Sequence, residues 1–272
     1  MSLFYAEKEI LAVGPRRQRS GAVAVLPLHG FMTQRRNLLG GTSTESFGNM
    51  LKAVVGDRSV SGIVLDIDSP GGLAVGVQEL WQVIMDARGE KPIIAVANSM
   101  AASAAYWVAS AADEIVVTPG GQIGSIGVFA AHSDFSVMLD KAGEKVTLIN
   151  AGKKKVDGNP IEPLSARART DIQKRVDILY ASFVDGVAKG RGVSPSAVRT
   201  GFAEGGMVGA VEGVKLGMAN RVGTLDQTVA RLGSRRTNWL ARGGRRAGVV
   251  RGQSDDTDLR DRRLALQELS RD

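Results

Sequence analysis

Asn98-Ser99-Met100-Ala101-Ala102-Ser103-Ala104-Ala105-Tyr106-Trp107 is the stretch whose reading decides the fold. The preceding Pro92-Ile93-Ile94-Ala95-Val96-Ala97 is apolar, bounded by proline and too short for a helix, which predicts a buried strand. Ala104 to Ala112 is rich in small helix formers. A polar turn over Asn98–Ser103 then places Ser103 at or near a helix N-terminus, where unbonded backbone N–H groups can stabilise an oxyanion. Two readings of Ser103 are open on these residues alone: a helix cap, or a catalytic nucleophile.

Working outward, Gly21 to Leu28 and Val60 to Ile67 read as further strands, the second ending in Asp68-Ser69-Pro70-Gly71-Gly72. Thr44 to Val55 suits a helix with Phe47, Leu51 and Val54 on one face, and Val75, Leu80, Val83, Ile84 and Ala87 mark another. Glu114–Thr118 and Val146–Asn150 are predicted strands, separated by the glycine-punctuated Pro119 to Gly127. A long helix follows from about Ser165 to Lys189, with Ile172, Val176, Leu179, Phe183 and Val187 in one stripe, and Ser194-Pro195 starts a short one. Alternating strands and helices predict βαβ crossovers, a largely parallel sheet and an α/β fold. Sites in such sheets form at the carboxyl ends of strands, which singles out the loops Asp68–Gly72, Asn98–Ser103 and Ala151–Asn159.

Composition narrows the chemistry. The 272 residues hold no cysteine, which removes disulfides, thiolate metal sites and cysteine nucleophiles and agrees with a cytoplasmic setting. Glu7, Lys8, Glu9 and the arginines at 16, 17 and 19 are unlike a secretory signal. Ile93 to Ala112 is uncharged over a membrane-spanning length, but Asn98, Ser99, Ser103 and Ser110 interrupt it, so strand, turn and buried helix are expected and no membrane. From Gly233 onward ten arginines, no lysine and six acidic residues give +4, leaving +3 of the net +7 for the preceding residues. The expected organisation is a polar arm over 1–20, one domain over 21–232, and an Arg-rich extension over 233–272. A terminal helix is expected over Ser254–Leu269. Nucleic acid is not an expected partner except through that basic tail.

A serine nucleophile needs a base and an oxyanion pocket. The N–H of Ala104 is one candidate donor, and Gly71 or Gly72 the other, since glycine allows close backbone approach and Pro70 has no N–H to give. For the base, His132 lies two residues before Asp134. Lys155 ends the run Lys153-Lys154-Lys155, and a lysine serves only if burial lowers its pKa. No metal or organic cofactor is required.

Five motifs occur in order: Asp68-Ser69-Pro70-Gly71-Gly72, Met100 to Tyr106 around Ser103, Ala109-Ser110-Ala111-Ala112-Asp113, Gly124-Ser125-Ile126-Gly127-Val128, and Ala151 to Pro160 around Lys155. Together they resemble the signal peptide peptidase A family of serine peptidases over about residues 20–232, and most closely its bacteriophage and prophage branch of head-maturation (prohead, capsid protein C-type) proteases. The resemblance implies a ClpP/crotonase-like α/β superhelix and a Ser–Lys dyad. Ser103 would be the nucleophile, Lys155 the base, Ser125 the group that orients the lysine, and Gly71, Gly72 and Ala104 the oxyanion donors. It also implies protein substrates from capsid assembly, such as scaffold or portal-associated proteins, and a homo-oligomeric ring with shared grooves. Many relatives carry Ser-Gly-Gly where this chain has Ser103-Ala104-Ala105. ClpP-type peptidases use a histidine, so His132 stays as the alternative base, and Lys153 or Lys154 stand in if the register shifts. A crotonase-like acyl-CoA enzyme and a non-catalytic head-assembly scaffold are the rival functions.

Overall fold

The computed structural model describes residues 21–36 and 40–234. The polar arm expected over 1–20, and nearly all of the extension with its terminal helix, lie outside these residues. β1 (Ala22–His29) is followed by two short strands, β2 (Met32–Thr33) and β3 (Thr42–Ser43), paired in parallel, and by α1 (Thr44–Gly56). β4 (Val60–Ser69), α2 (Val77–Ala87), β5 (Ile93–Ala102), α3 (Ala104–Ser110), β6 (Glu114–Val117) and β7 (Gln122–Gly124) follow. Then come α4 (Ser136–Lys141), α5 (Ala166–Arg191), α6 (Pro195–Gly201), β8 (Met207–Gly209), α7 (Ala210–Lys215), β9 (Arg221–Val222) and α8 (Leu225–Ser234). The sheet runs β1-β4-β5-β6-β9, all parallel, with β7 along the end of β5 and β8 antiparallel to β7. This is the α/β architecture with a largely parallel sheet that the alternating pattern predicts.

Consecutive strand residues face opposite sides of the sheet. Ile63, Leu65 and Ile67 of β4 join Leu26 and Leu28 in the core under α1, α2 and α3, whereas Val64 joins Val23, Ile94, Val96 and Val116 under Leu232 of α8. Each such fully buried aliphatic side chain contributes about 1.5–3 kcal/mol. α1 starts where Ser43 Oγ accepts the Ser46 N–H, and buries Phe47, Leu51 and Val54 as its sequence spacing requires. α5 presses onto α3, with Trp107 and Phe183 stacked at 4.8 Å. Gly186 and Gly190 permit that approach: a Cβ on the first would collide with Trp107 Nε1, on the second with Ser110 O.

Two sequence expectations are corrected here. β5 does not stop at Ala97 but continues to Ala102. Ile67 pairs with Ala97, then Ser69 with Ala101, so two residues of β4 span four of β5 and the strand bulges over Asn98–Met100. Ser99, at φ 131°, sits in the bulge. Beyond it β5 exchanges its neighbour β6 for β7. The expected polar turn therefore shrinks to Ser103 alone. The uncharged run folds as β5 and α3, and no helix among the described residues is long and apolar enough to cross a membrane.

The strand expected over Val146–Asn150 does not form. Residues 127–165 instead make an arm in which only α4 is regular and no residue is buried. No strand lies alongside 146–150 to satisfy its backbone, so its apolar composition is not evidence of a sheet. Ile149 is 96% exposed and Phe129 90%. Polar contacts tie the arm to the start of α5: Arg167 pairs with Asp157 at 2.7 Å and Lys154 with Asp171.

Candidate active site

Ser103 stands alone between β5 and α3 at φ 52°, ψ −124°. A non-glycine residue there costs about 1–3 kcal/mol, a cost that recurs at functional elbows. The strain is held from both sides: its N–H donates to Gly124 O at 2.8 Å, and its carbonyl accepts the Trp107 N–H at 3.0 Å. The Ser103 side chain makes no cap bond to the helix it precedes. That disfavours the capping reading, because a capping serine accepts a backbone N–H from the first turn of its helix.

The glycine loop meets this elbow. A Cβ on Gly71, at φ +92°, would lie 2.8 Å from Ser103 Cβ and 2.9 Å from Ala104 N. On Gly72 it would collide with the Met32 backbone. Ala104 opens α3, so its N–H has no partner inside the helix, and none is found outside it among the described residues. The same holds for the Gly72 N–H. Gly71 differs. Its N–H donates to Ser69 Oγ at 3.1 Å, which corrects its expected place among free donors. Ser125 is next in chain to Gly124, at φ 55°, with its N–H on Gly206 O at 2.7 Å. Ser99, Ser103 and Ser125 are thus three serines in positive-φ backbone gathered where β5 meets β7.

The base candidates lie on the arm. His132 Nε2 is 2.9 Å from Asn159 O and has no bond to Ser103. Lys154 is committed to Asp171, whose carboxyl is held below its ordinary value chiefly by that hydrogen bond. Lys153 offers its carbonyl to Arg167. Lys155 lies in the turn over 151–158, its N–H on Gly152 O at 3.0 Å, and the residue is exposed. The expectation of a lysine dried by burial beside Ser103 is therefore not met within one chain, and no hydrogen bond joins the two. The loop 151–159 was also expected at the end of a strand, and it sits on the arm instead. Among the described residues no cluster of His, Asp or Glu could hold a metal ion.

Sequence reasoning missed Ser69, which is fully buried, and the Ser99 bulge. Ser69 was legible only as part of a Pro-Gly turn. A bulge leaves no pattern in residue types that a polar turn would not also leave.

The architecture is α/β with a strained serine at a strand-to-helix elbow, and comparison with known proteins gives the family. The model of peptidase family S49 matches residues 86–238, more than half the chain. The chain belongs to that family. It is 37% identical over 222 residues to the head-tail preconnector protein GP5 of Enterobacteria phage P21, covering 79% of this chain and 44% of that one. It is 36% identical over 217 residues to the capsid assembly protease C of Escherichia phage lambda, covering 77% and 49%. A putative signal peptide peptidase SppA of Enterococcus faecium is 30% identical over 183 residues, covering 66% and 52%. The chain spans about half the length of these relatives. Among solved structures, a mutant of the membrane-bound stomatin-specific protease 1510-N superposes with TM-score 0.53 at 15% identity, covering 78% of this chain and 84% of that one, a likeness of fold.

Proposed function

We propose that the protein is a serine endopeptidase acting on proteins of phage capsid assembly, with Ser103 as nucleophile and Lys155 as general base. The observation that carries the reading is Ser103 in strained backbone packed against Gly71, with the Ala104 and Gly72 N–H groups unbonded among the described residues. The two phage relatives, one named a capsid assembly protease, point to the substrate class.

In the proposed reaction Ser103 Oγ attacks the scissile carbonyl as the neutral Lys155 amine takes its proton. The carbonyl oxygen becomes an oxyanion that the Gly72 and Ala104 N–H groups receive, the kind of donor worth about 2.7–4 kcal/mol each. The lysine ammonium then gives its proton to the departing amine. Water, deprotonated by the same lysine, releases the acyl group and restores Ser103. Ser125 is the proposed hydrogen-bond partner that orients the lysine.

Only a neutral amine can take the Ser103 proton, so the reading needs Lys155 shielded from water. The proposed remedy is assembly. Phe129, Phe135, Val137, Met138, Val146 and Ile149 are apolar and exposed on the same arm that bears Lys155. A second copy packed on them would dry the lysine and complete the groove, as in a ring. His132 is the less suited base because its Nε2 is engaged with Asn159 O.

The test is cleavage of capsid-assembly proteins by the wild-type chain beside Ser103→Ala, Lys155→Ala and His132→Ala. The reading expects activity only in wild type and His132→Ala. Activity in Lys155→Ala with loss in His132→Ala would transfer the base to the histidine. Unchanged head-protein masses with wild type and Ser103→Ala alike would favour a non-catalytic assembly role.

A further inference from the structure

The segment bearing Gly71 and Gly72 is aligned along residues 30–32 by a ladder of hydrogen bonds. The Gly30 N–H donates to Asp68 O at 2.9 Å, the Met32 N–H to Gly71 O at 2.8 Å, and the Leu73 N–H to Met32 O at 2.9 Å. Pro70 interrupts this ladder because it has no N–H. One side chain bridges the gap. Ser69, with no exposed surface, donates its hydroxyl to Gly30 O at 2.6 Å and accepts the Gly71 N–H at 3.1 Å.

We propose that Ser69 is a positioning residue for the oxyanion pocket, aiming the Gly72 N–H by fixing the two peptide planes that meet at Gly71. The proposal rests on Ser103 being the nucleophile. In a planar trans peptide the C=O and the following N–H point in opposite directions. Since Gly71 O is turned toward Met32, the Gly72 N–H points away from Met32. Met32 holds one of the two planes that meet at Gly71, and the other is free to turn unless its N–H is held, because glycine at φ +92° has no side chain to resist rotation. The Ser69 hydroxyl supplies the restraint by holding the Gly71 N–H. It also withholds that N–H from the oxyanion, leaving Gly72 as the loop's donor.

The test uses a fluorophosphonate probe, whose attack by the serine also develops negative oxygen, with the adduct at Ser103 located by peptide mass spectrometry. Wild type, Ser69→Ala and the isosteric Ser69→Cys are compared for maximal labelling rate, half-saturating probe concentration and thermal midpoint. The expected result is a maximal rate about 10- to 100-fold lower in both variants, somewhat less than the loss of an oxyanion donor outright, with half-saturation within twofold. A wild-type maximal rate in either folded variant overturns the proposal. So does a loss that appears in half-saturation or tracks the thermal midpoint, which would make Ser69 merely structural. Should Ser69→Ala not fold, Ser69→Cys carries the comparison alone. Failure of the wild-type chain to label at Ser103 would instead refute the peptidase reading beneath it.

Discussion

Lys154 and Asp171 form an ion pair, Nζ 2.5 Å from Oδ2, that fastens the lysine-bearing turn to α5. The pair sorts the three consecutive lysines. Lys154 is engaged by Asp171, whereas the Lys155 side chain has no partner among the described residues. Lys154→Ala is therefore expected to retain proteolysis within about tenfold, the loss arising only from a looser turn, whereas Lys155→Ala should lose the 10²–10⁴-fold that a general base typically supplies. Cleavage rates of the two variants on one substrate check this, and equal losses would contradict it.

Acid should loosen the same turn. The Asp171 carboxyl is held below its ordinary 3.8, first by the hydrogen bond from Lys154. A depressed carboxylate binds fewer protons folded than unfolded, so its contribution is complete above 3.8 and disappears as pH falls through the lower folded value. Asp171→Asn is expected to flatten the acid limb of the stability curve and leave the limb above pH 5 parallel to wild type. Denaturant titrations across pH measure both limbs.

α8 depends on one carboxylate. Glu114 accepts from Arg231 at 2.8 and 2.9 Å and lies 2.6 Å from Arg221 Nε, with Glu114 and Arg231 both largely buried. Removing one partner of a buried pair leaves the other charge uncompensated. Glu114→Gln is expected to cost about 2–3 kcal/mol, below the roughly 3–5 of fully buried pairs because Arg221 is partly solvated. Chemical denaturation reads the loss, and a change under about 0.5 kcal/mol would contradict it.

The contact of α5 with α3 offers a steric test. A methyl at Gly190 meets the Ser110 carbonyl, which cannot yield without disturbing Arg88, whose guanidinium also binds the carbonyls of Ser110, Ala111, Ala112 and Gly190. Gly190→Ala is expected to destabilise by about 1–3 kcal/mol despite the better helix propensity of alanine. A rise in the thermal midpoint would contradict the packing described.

How much of this was legible in the sequence follows from what each segment packs against. The strands at 22–29, 60–69 and 114–117 and helices α1 and α2 bury one face in the common core, so their apolar spacing reports their structure directly. The elbow was legible because Ser103 interrupts an apolar strand-to-helix run. Residues 127–165 misled for the opposite reason. Val146, Leu148 and Ile149 look like a buried strand, yet Leu148 is only half-buried and Val146 and Ile149 are exposed in the single chain. Residue spacing does not tell an apolar run that is buried from one that is exposed. The status of Gly71 was illegible too, since the hydroxyl that takes its N–H belongs to a residue two positions back across a proline.

The arm carries the corresponding prediction. Ile149→Asp, at a position already in solvent, is expected to leave the unfolding free energy of the single chain within about 0.5 kcal/mol. It should shift the protein to a smaller species in sedimentation and lower proteolysis with it. Unchanged sedimentation would remove this surface from the assembly.

The most direct measurement is the rate of fluorophosphonate labelling at Ser103, followed by intact mass, in wild type and in Lys155→Ala under conditions where both have the same sedimentation coefficient. The account predicts one adduct on wild type, located at Ser103, and labelling of Lys155→Ala slowed at least about 100-fold. Labelling of Lys155→Ala at the wild-type rate, or no adduct on wild type, would contradict it.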